Sequence, residues 1–106
     1  MYVLVVYVPS DHLETVKEAL FAAGAGNFGS YDKCSWEVEG TGQFRPLEGS
    51  NPYIGSTGEV EREAEYRLEV VCGDGAAKDA VEAIHRAHPY EVPAYHLLPG
   101  LTGEDL

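Results

Sequence analysis

The spacing of apolar positions changes several times along this chain, and those changes divide it into elements. Residues 2–8 are apolar at both parities, the pattern of a strand covered on both faces. Leu13, Val16, Leu20 and Ala23 then recur at helical spacing opposite Glu14, Lys17 and Glu18, which predicts an amphipathic helix. Ser10 or Asp11 is placed to cap it, Asp11 with Glu14 has capping-box spacing, and Gly24 is a left-handed terminator. Residues 31–38 alternate, with Cys34, Trp36 and Val38 against Lys33, Ser35 and Glu37. This predicts a half-buried strand with its apolar parity on the core and a turn at 39–42.

From 59 to 72 the alternation is cleaner. Val60, Ala64, Tyr66, Leu68, Val70 and Cys72 share one parity, with Arg62 as the exception; Glu59, Glu61, Glu63, Glu65, Arg67 and Glu69 share the other. After a turn at 73–75, where Asp74 is a candidate cap, Ala77, Ala80, Val81, Ile84 and Ala87 form the inner stripe of a second helix that Pro89 ends. Residues 90–98 read as the last strand, with Pro93 placing part of it at an edge or bulge.

Strand, helix, strand, strand, helix, strand with right-handed crossovers is an α+β arrangement. It gives a ferredoxin-like βαββαβ antiparallel sheet with both helices on one face and an extended hairpin region between the second and third strands. Residues 1–99 read as one domain and 100–106 as a C-terminal tail. The first strand is central and apolar at both parities, yet the helices cover one face. The economical cover for the other face is a second copy of the chain.

The 106 residues carry a net charge of −11, and the seven basic residues are scattered singly. Such a field repels phosphate backbones and anionic lipid surfaces, which argues against nucleic acid and membrane partners. Two cysteines, Cys34 and Cys72, are too few for a secreted disulfide framework, so a cytoplasmic location is expected. They read as structural thiols that neighbour each other on the core face. The apolar run at 2–8 is too short to span a bilayer and lacks a basic flank, so it reads as a strand and not a signal.

Candidate chemistry is sparse. Gly24-Ala25-Gly26-Asn27-Phe28-Gly29 matches G-x-G-x-x-G in letters, but it follows a helix and precedes a strand, the reverse of the order a dinucleotide needs. His85 and His88, three apart on a helix, are candidate transition-metal ligands with His96 or Glu91. The alternative is a helix C-terminus carrying dipole-compatible side chains. The alternating glutamates at 59–65 are either a hard-cation site or a solvated strand face. Asn51-Pro52-Tyr53-Ile54-Gly55 is either a rigid turn or a contact surface.

Three motifs together carry a resemblance. Gly29-x-Tyr31-x-x-Cys34-Ser35-Trp36 comes first, and Gly40-x-Gly42-x-Phe44-x-Pro46-x-x-Gly49-Ser50-Asn51-Pro52-Tyr53-Ile54-Gly55 second. The third is His88-Pro89-Tyr90-Glu91-Val92-Pro93. In this order they resemble the PII/CutA-like domain inserted in the YqfO branch of the Nif-three-like dinuclear-metal proteins, here as a standalone chain, and the third is similar to the His-Pro-Tyr-Glu-x-Pro signature of CutA proteins. The resemblance implies a homotrimer with sheets inward and helices outward. It implies a non-catalytic, regulatory role in which a small ligand or a protein partner is met at clefts between subunits and at the loop between the second and third strands. Asn51, Tyr53, His88, Tyr90 and Glu91 are the residues expected there. The dinuclear metal site belongs to the flanking halves of the larger proteins, so its ligands have no counterparts here, and no cofactor is named. The CutA side of the resemblance implies divalent-cation binding or tolerance, for which His85, His88 and Glu91 are the candidates.

Overall fold

Why the first strand is apolar at every position is explained by where it lies. The computed structural model describes residues 1–106. Its regular elements are β1 (Tyr2–Pro9), α1 (Leu13–Ala22), β2 (Trp36–Phe44), β3 (Glu61–Cys72), α2 (Ala77–Ala87) and β4 (Tyr95–Pro99). The four strands form one antiparallel sheet in the order β2-β3-β1-β4. Both inner strands are flanked on each side, and the two helices pack on one face.

That face holds the core. Leu4, Val6 and Val8 of β1 meet Leu68, Val70 and Cys72 of β3, and above them lie Leu13, Val16 and Leu20 of α1 and Ala80 and Ile84 of α2. Each set repeats at two residues in a strand and at three or four in a helix, so sequence period and burial agree. Ala83, outside the expected stripe, is fully buried on α2 along with Ala80 and Ile84, while Val81 is only half-buried. No helix is long and apolar enough to cross a membrane.

Several boundaries differ from the expectations. Neither helix has a side-chain cap. Each is entered through a 3-10 turn, at Ser10–His12 and Asp74–Ala76. Ser10 Oγ donates to the Ala64 carbonyl at 3.0 Å, and Asp74 pairs with the N-terminal ammonium at 2.9 Å, so both candidate caps have other partners. Gly24 does take a left-handed conformation, φ +98°. The second strand runs Trp36–Phe44, straight through the expected turn at 39–42. Its parity is also inverted: Trp36 pairs with Glu69 and Val38 with Arg67, which places both apolar side chains on the face away from the helices. The helix-side residues of β2 are polar because that edge lies beyond the core, and Glu37 there accepts from Lys17 of α1 at 2.8 Å. Cys72 is in the core, but Cys34 lines a surface groove with Val3, Phe28 and Trp36, so the two thiols are not core neighbours. The last strand starts at Tyr95, and residues 90–94 are irregular.

β1 pairs with β3 only from Cys72 back to Glu65. The rest of β3, with the matching end of β2, runs on past β1 as a two-stranded arm. The arm makes the molecule 48 Å long and 23 Å across, with a radius of gyration of 14.9 Å. A compact chain of this size has a radius of about 13 Å.

Gly26 ties the exit of α1 to the sheet. Its amide donates to Val71 O at 2.8 Å and its carbonyl accepts from Cys34 N at 2.8 Å, with φ at +89°. A Cβ at this position would stand 2.9 Å from Phe21 Cδ1 and 3.2 Å from Cys34 O. Gly26→Ala is therefore expected to cost about 2 kcal/mol through the left-handed backbone and the crowding. Urea unfolding measures it, and an unchanged midpoint would contradict the assignment.

Candidate functional site

The site forms where the arm leaves the sheet, and its organiser is the end of α2. His88 precedes Pro89, which drives it out of the helix to φ −78°, ψ 133° and aims its ring at β1. There β4 has stopped pairing. Tyr7 N donates to Ala94 O at 3.1 Å, but Tyr7 O meets no strand amide. The imidazole takes that place: His88 Nε2 lies 2.6 Å from Tyr7 O, and Tyr90 N lies 3.1 Å from His88 Nδ1.

These two contacts define the ring. A carbonyl only accepts, so Nε2 carries the proton; a backbone amide only donates, so Nδ1 keeps its lone pair. His88 is thus the neutral Nε2–H tautomer. Burial pushes its pKa below the ordinary 6.5, against a smaller opposing effect of the bond to Tyr7 O.

Tyr90, positioned by that bond, donates its hydroxyl to Glu65 Oε2 of β3 at 2.8 Å. Burial and then the Glu65 bond push its phenol well above the usual tyrosine range, which keeps it a donor. Its ring is the hub of an aromatic cluster, with centroids 4.9 Å from His88, 5.7 Å from Phe44 and 6.3 Å from Tyr53. Tyr53 in turn makes a T-shaped contact with His12, with centroids 5.9 Å apart. The loop over residues 45–60 closes the site from above: Gly58 N donates to Pro46 O at 2.8 Å, and Asn51 N donates to Glu91 Oε1 at 3.0 Å. Between them is a cavity of about 250 Å³ whose walls include Tyr7, Phe44, Tyr53, Ile54 and Tyr90, with Glu65 and Glu91 supplying carboxylates.

The five residues singled out from the sequence therefore come together, in unequal roles. Tyr53, Tyr90 and Glu91 line the cavity, Asn51 anchors its loop, and His88 lies beneath Tyr90. His85 is not part of this group; its Nε2 lies 3.0 Å from the Tyr95 hydroxyl. His85, His88 and Glu91 thus have separate partners, and no group of three or more His, Cys, Asp or Glu is placed to hold a metal ion. Sequence reasoning missed Tyr7, Phe44 and Glu65. One signal for Glu65 was present, because a Cβ at Gly42 would collide with its carboxylate. A glycine inside a strand marks such a close approach.

No protein-family model matches the chain. It is 50% identical over 93 residues to a Mycobacterium leprae protein named GTP cyclohydrolase 1 type 2 homolog, covering 88% of this chain and 24% of that protein. The Bacillus subtilis protein of the same name is 45% identical over 96 residues, covering 91% and 26%. The Bacillus cereus protein related to NIF3 superposes with a TM-score of 0.82 at 39% identity, over 95% of this chain and 26% of that one. This chain is a relative of one segment of the NIF3-related proteins. It spans about a quarter of their length. The same fold makes up most of a smaller protein: the divalent cation tolerance protein of Thermus thermophilus, a CutA protein, superposes with a TM-score of 0.68 at 26% identity, over 96% of this chain and 85% of that one. The segment shared with the NIF3-related proteins is thus CutA-like, and the three sequence motifs fall within it.

In this CutA-like segment the neutral His88 sets a pH dependence. An imidazole whose folded pKa is depressed is protonated first in the unfolded chain. Its contribution is complete above 6.5 and is lost as the pH falls below 6.5 toward the folded value. His88→Gln is expected to lose about 1–3 kcal/mol at pH 7 and to flatten the slope of stability against pH below 6.5. Thermal unfolding of both proteins across this range checks it; parallel slopes would contradict the neutral ring.

Proposed function

We propose that the chain is a non-catalytic PII/CutA-like module that assembles as a homotrimer and binds a small ligand or a protein partner in a regulatory role. The observation that carries this reading is the aromatic cavity at the rim of an uncovered apolar sheet face. On that face Trp36 is 57% exposed, Val38 45% and Leu98 48%, beside the half-buried Val3 and Val71, with Val5 buried between them. Apolar side chains left open on both edge strands of one sheet face are the signature of a surface meant for another copy. Tyr53 and Tyr90 would form the ligand's walls, Glu91 and Asn51 would hold the loop over it, and His88 would position Tyr90. The enzymatic name of the relatives belongs to chains about four times as long, and no activity is carried from it to this segment. The free thiols Cys34 and Cys72 accord with a reducing cytoplasm.

A second reading, divalent-cation binding, is favoured by the name of the Thermus protein. It requires His85, His88 or Glu91 to leave the partners each has here. Calorimetry with copper, zinc and cobalt tests it, and the absence of heat removes it.

The assembly is tested by light scattering, with a three-chain mass expected at micromolar concentration and a one-chain mass overturning it. Trp36 is the only tryptophan. Its emission is expected to be blue-shifted in the assembly and to move to the red in a Val38→Lys variant that runs as a monomer.

A further inference from the structure

The chemistry of the cavity limits what fits it. Its volume, about 250 Å³, lies just below the ~300–1,000 Å³ of sites that take drug-sized molecules, which suits a small organic molecule. Its walls are mainly aromatic and aliphatic, and none of its eleven lining residues is Lys, Arg or His. An anion would meet Glu65 and Glu91, and the nearest cation, Arg67 behind Tyr7, is already held by Glu69 at 3.0 Å and by the Tyr7 hydroxyl at 3.2 Å. An uncharged apolar molecule would bury those two carboxylates without compensation, which costs more than the apolar contact returns.

Each carboxylate has one oxygen engaged, Glu65 by the Tyr90 hydroxyl and Glu91 by the Asn51 amide. The second oxygen of each remains available to a donor. The rings of Tyr90, Tyr53 and Phe44 all line this space, with the Phe44 and Tyr53 centroids 5.7 and 6.3 Å from that of Tyr90, and an aromatic ring carries the negative side of its quadrupole on its face, where a cation is attracted. The chain's net charge of −11 draws cations toward it.

We infer that the ligand of this cavity is a small organic ammonium ion with an apolar body, held by the tyrosine and phenylalanine rings and by Glu65 and Glu91. This rests on the ligand-binding reading above and narrows it to one chemical class. Tyr90 supplies both a ring wall and the hydrogen bond that fixes Glu65. The loop over 45–60 supplies Tyr53 and, through Asn51, the orientation of Glu91.

Three probes of nearly equal size differ chiefly in charge at pH 7: benzylamine, benzyl alcohol and benzoate. Titrations of the full chain are followed by calorimetry and by the ring-proton shifts of Tyr53 and Tyr90. Benzylamine is expected to bind at least about tenfold more tightly than benzyl alcohol, with benzoate weakest, as an ammonium in an aromatic, acidic site requires. Glu65→Gln and Glu91→Gln, which keep the hydrogen-bond acceptors, are expected each to narrow that ratio, and Tyr53→Ala to weaken both ligands. Equal binding of amine and alcohol overturns the ammonium assignment and leaves the ligand-binding reading standing. Tighter binding of benzoate also overturns the assignment. Failure of all three to shift the tyrosine resonances at millimolar concentration overturns both.

Discussion

The arrangement depends on one imidazole standing in for a missing strand residue. β4 cannot pair all the way along β1, because Pro93 lacks an amide and the chain must bend to reach the end of α2. That bend leaves Tyr7 O in the interior without an amide, and an unpaired buried carbonyl is costly. His88 meets it at 2.6 Å and passes the constraint on, because its other nitrogen fixes Tyr90 N and Tyr90 fixes Glu65. Four parts of the fold, α2, β1, β3 and the lead into β4, thus meet through one neutral ring. The cavity is the space this junction leaves beneath the loop.

The sheet answers to a second constraint, the coverage of two faces by two helices. The helix side is closed by leucine, isoleucine, valine and alanine side chains, whereas the other side places Trp36, Val38 and Leu98 in the open. The acidic parity of β3 shares that open face: Glu69 stands opposite Trp36 and Arg67 opposite Val38. Arg67 is drawn back by Glu69 at 3.0 Å and by the Tyr7 hydroxyl at 3.2 Å, which neutralises part of the charge next to the apolar positions.

How much was legible follows from which signals are local. The central β1, both helical stripes, the Leu68–Val70–Cys72 parity and the strand order could all be read, because hydrophobic period and crossover handedness decide them. The CutA-like kinship was legible from three motifs, and those motifs also placed Asn51, Tyr53, His88, Tyr90 and Glu91 in one neighbourhood. The orientation of β2 was not legible. Its alternation gave the parity but not which side had the core, and the edge lies beyond the helices, so the apolar side chains turned to the other face. Caps were misplaced because 3-10 entries resemble capped starts in sequence while Ser10 and Asp74 bond elsewhere. Tyr7 and Glu65 reach the cavity through register, with Glu65 opposite Pro9 across the sheet, and no local pattern encodes that.

The protonation state of the His88 ring is the most direct test of this junction. Long-range proton–nitrogen correlation of the imidazole at pH 7 measures it. A protonated Nε2 and an unprotonated, hydrogen-bonded Nδ1 are expected. An Nδ1–H tautomer, or an imidazolium with both nitrogens protonated, would contradict the neutral bridge between β1 and Tyr90.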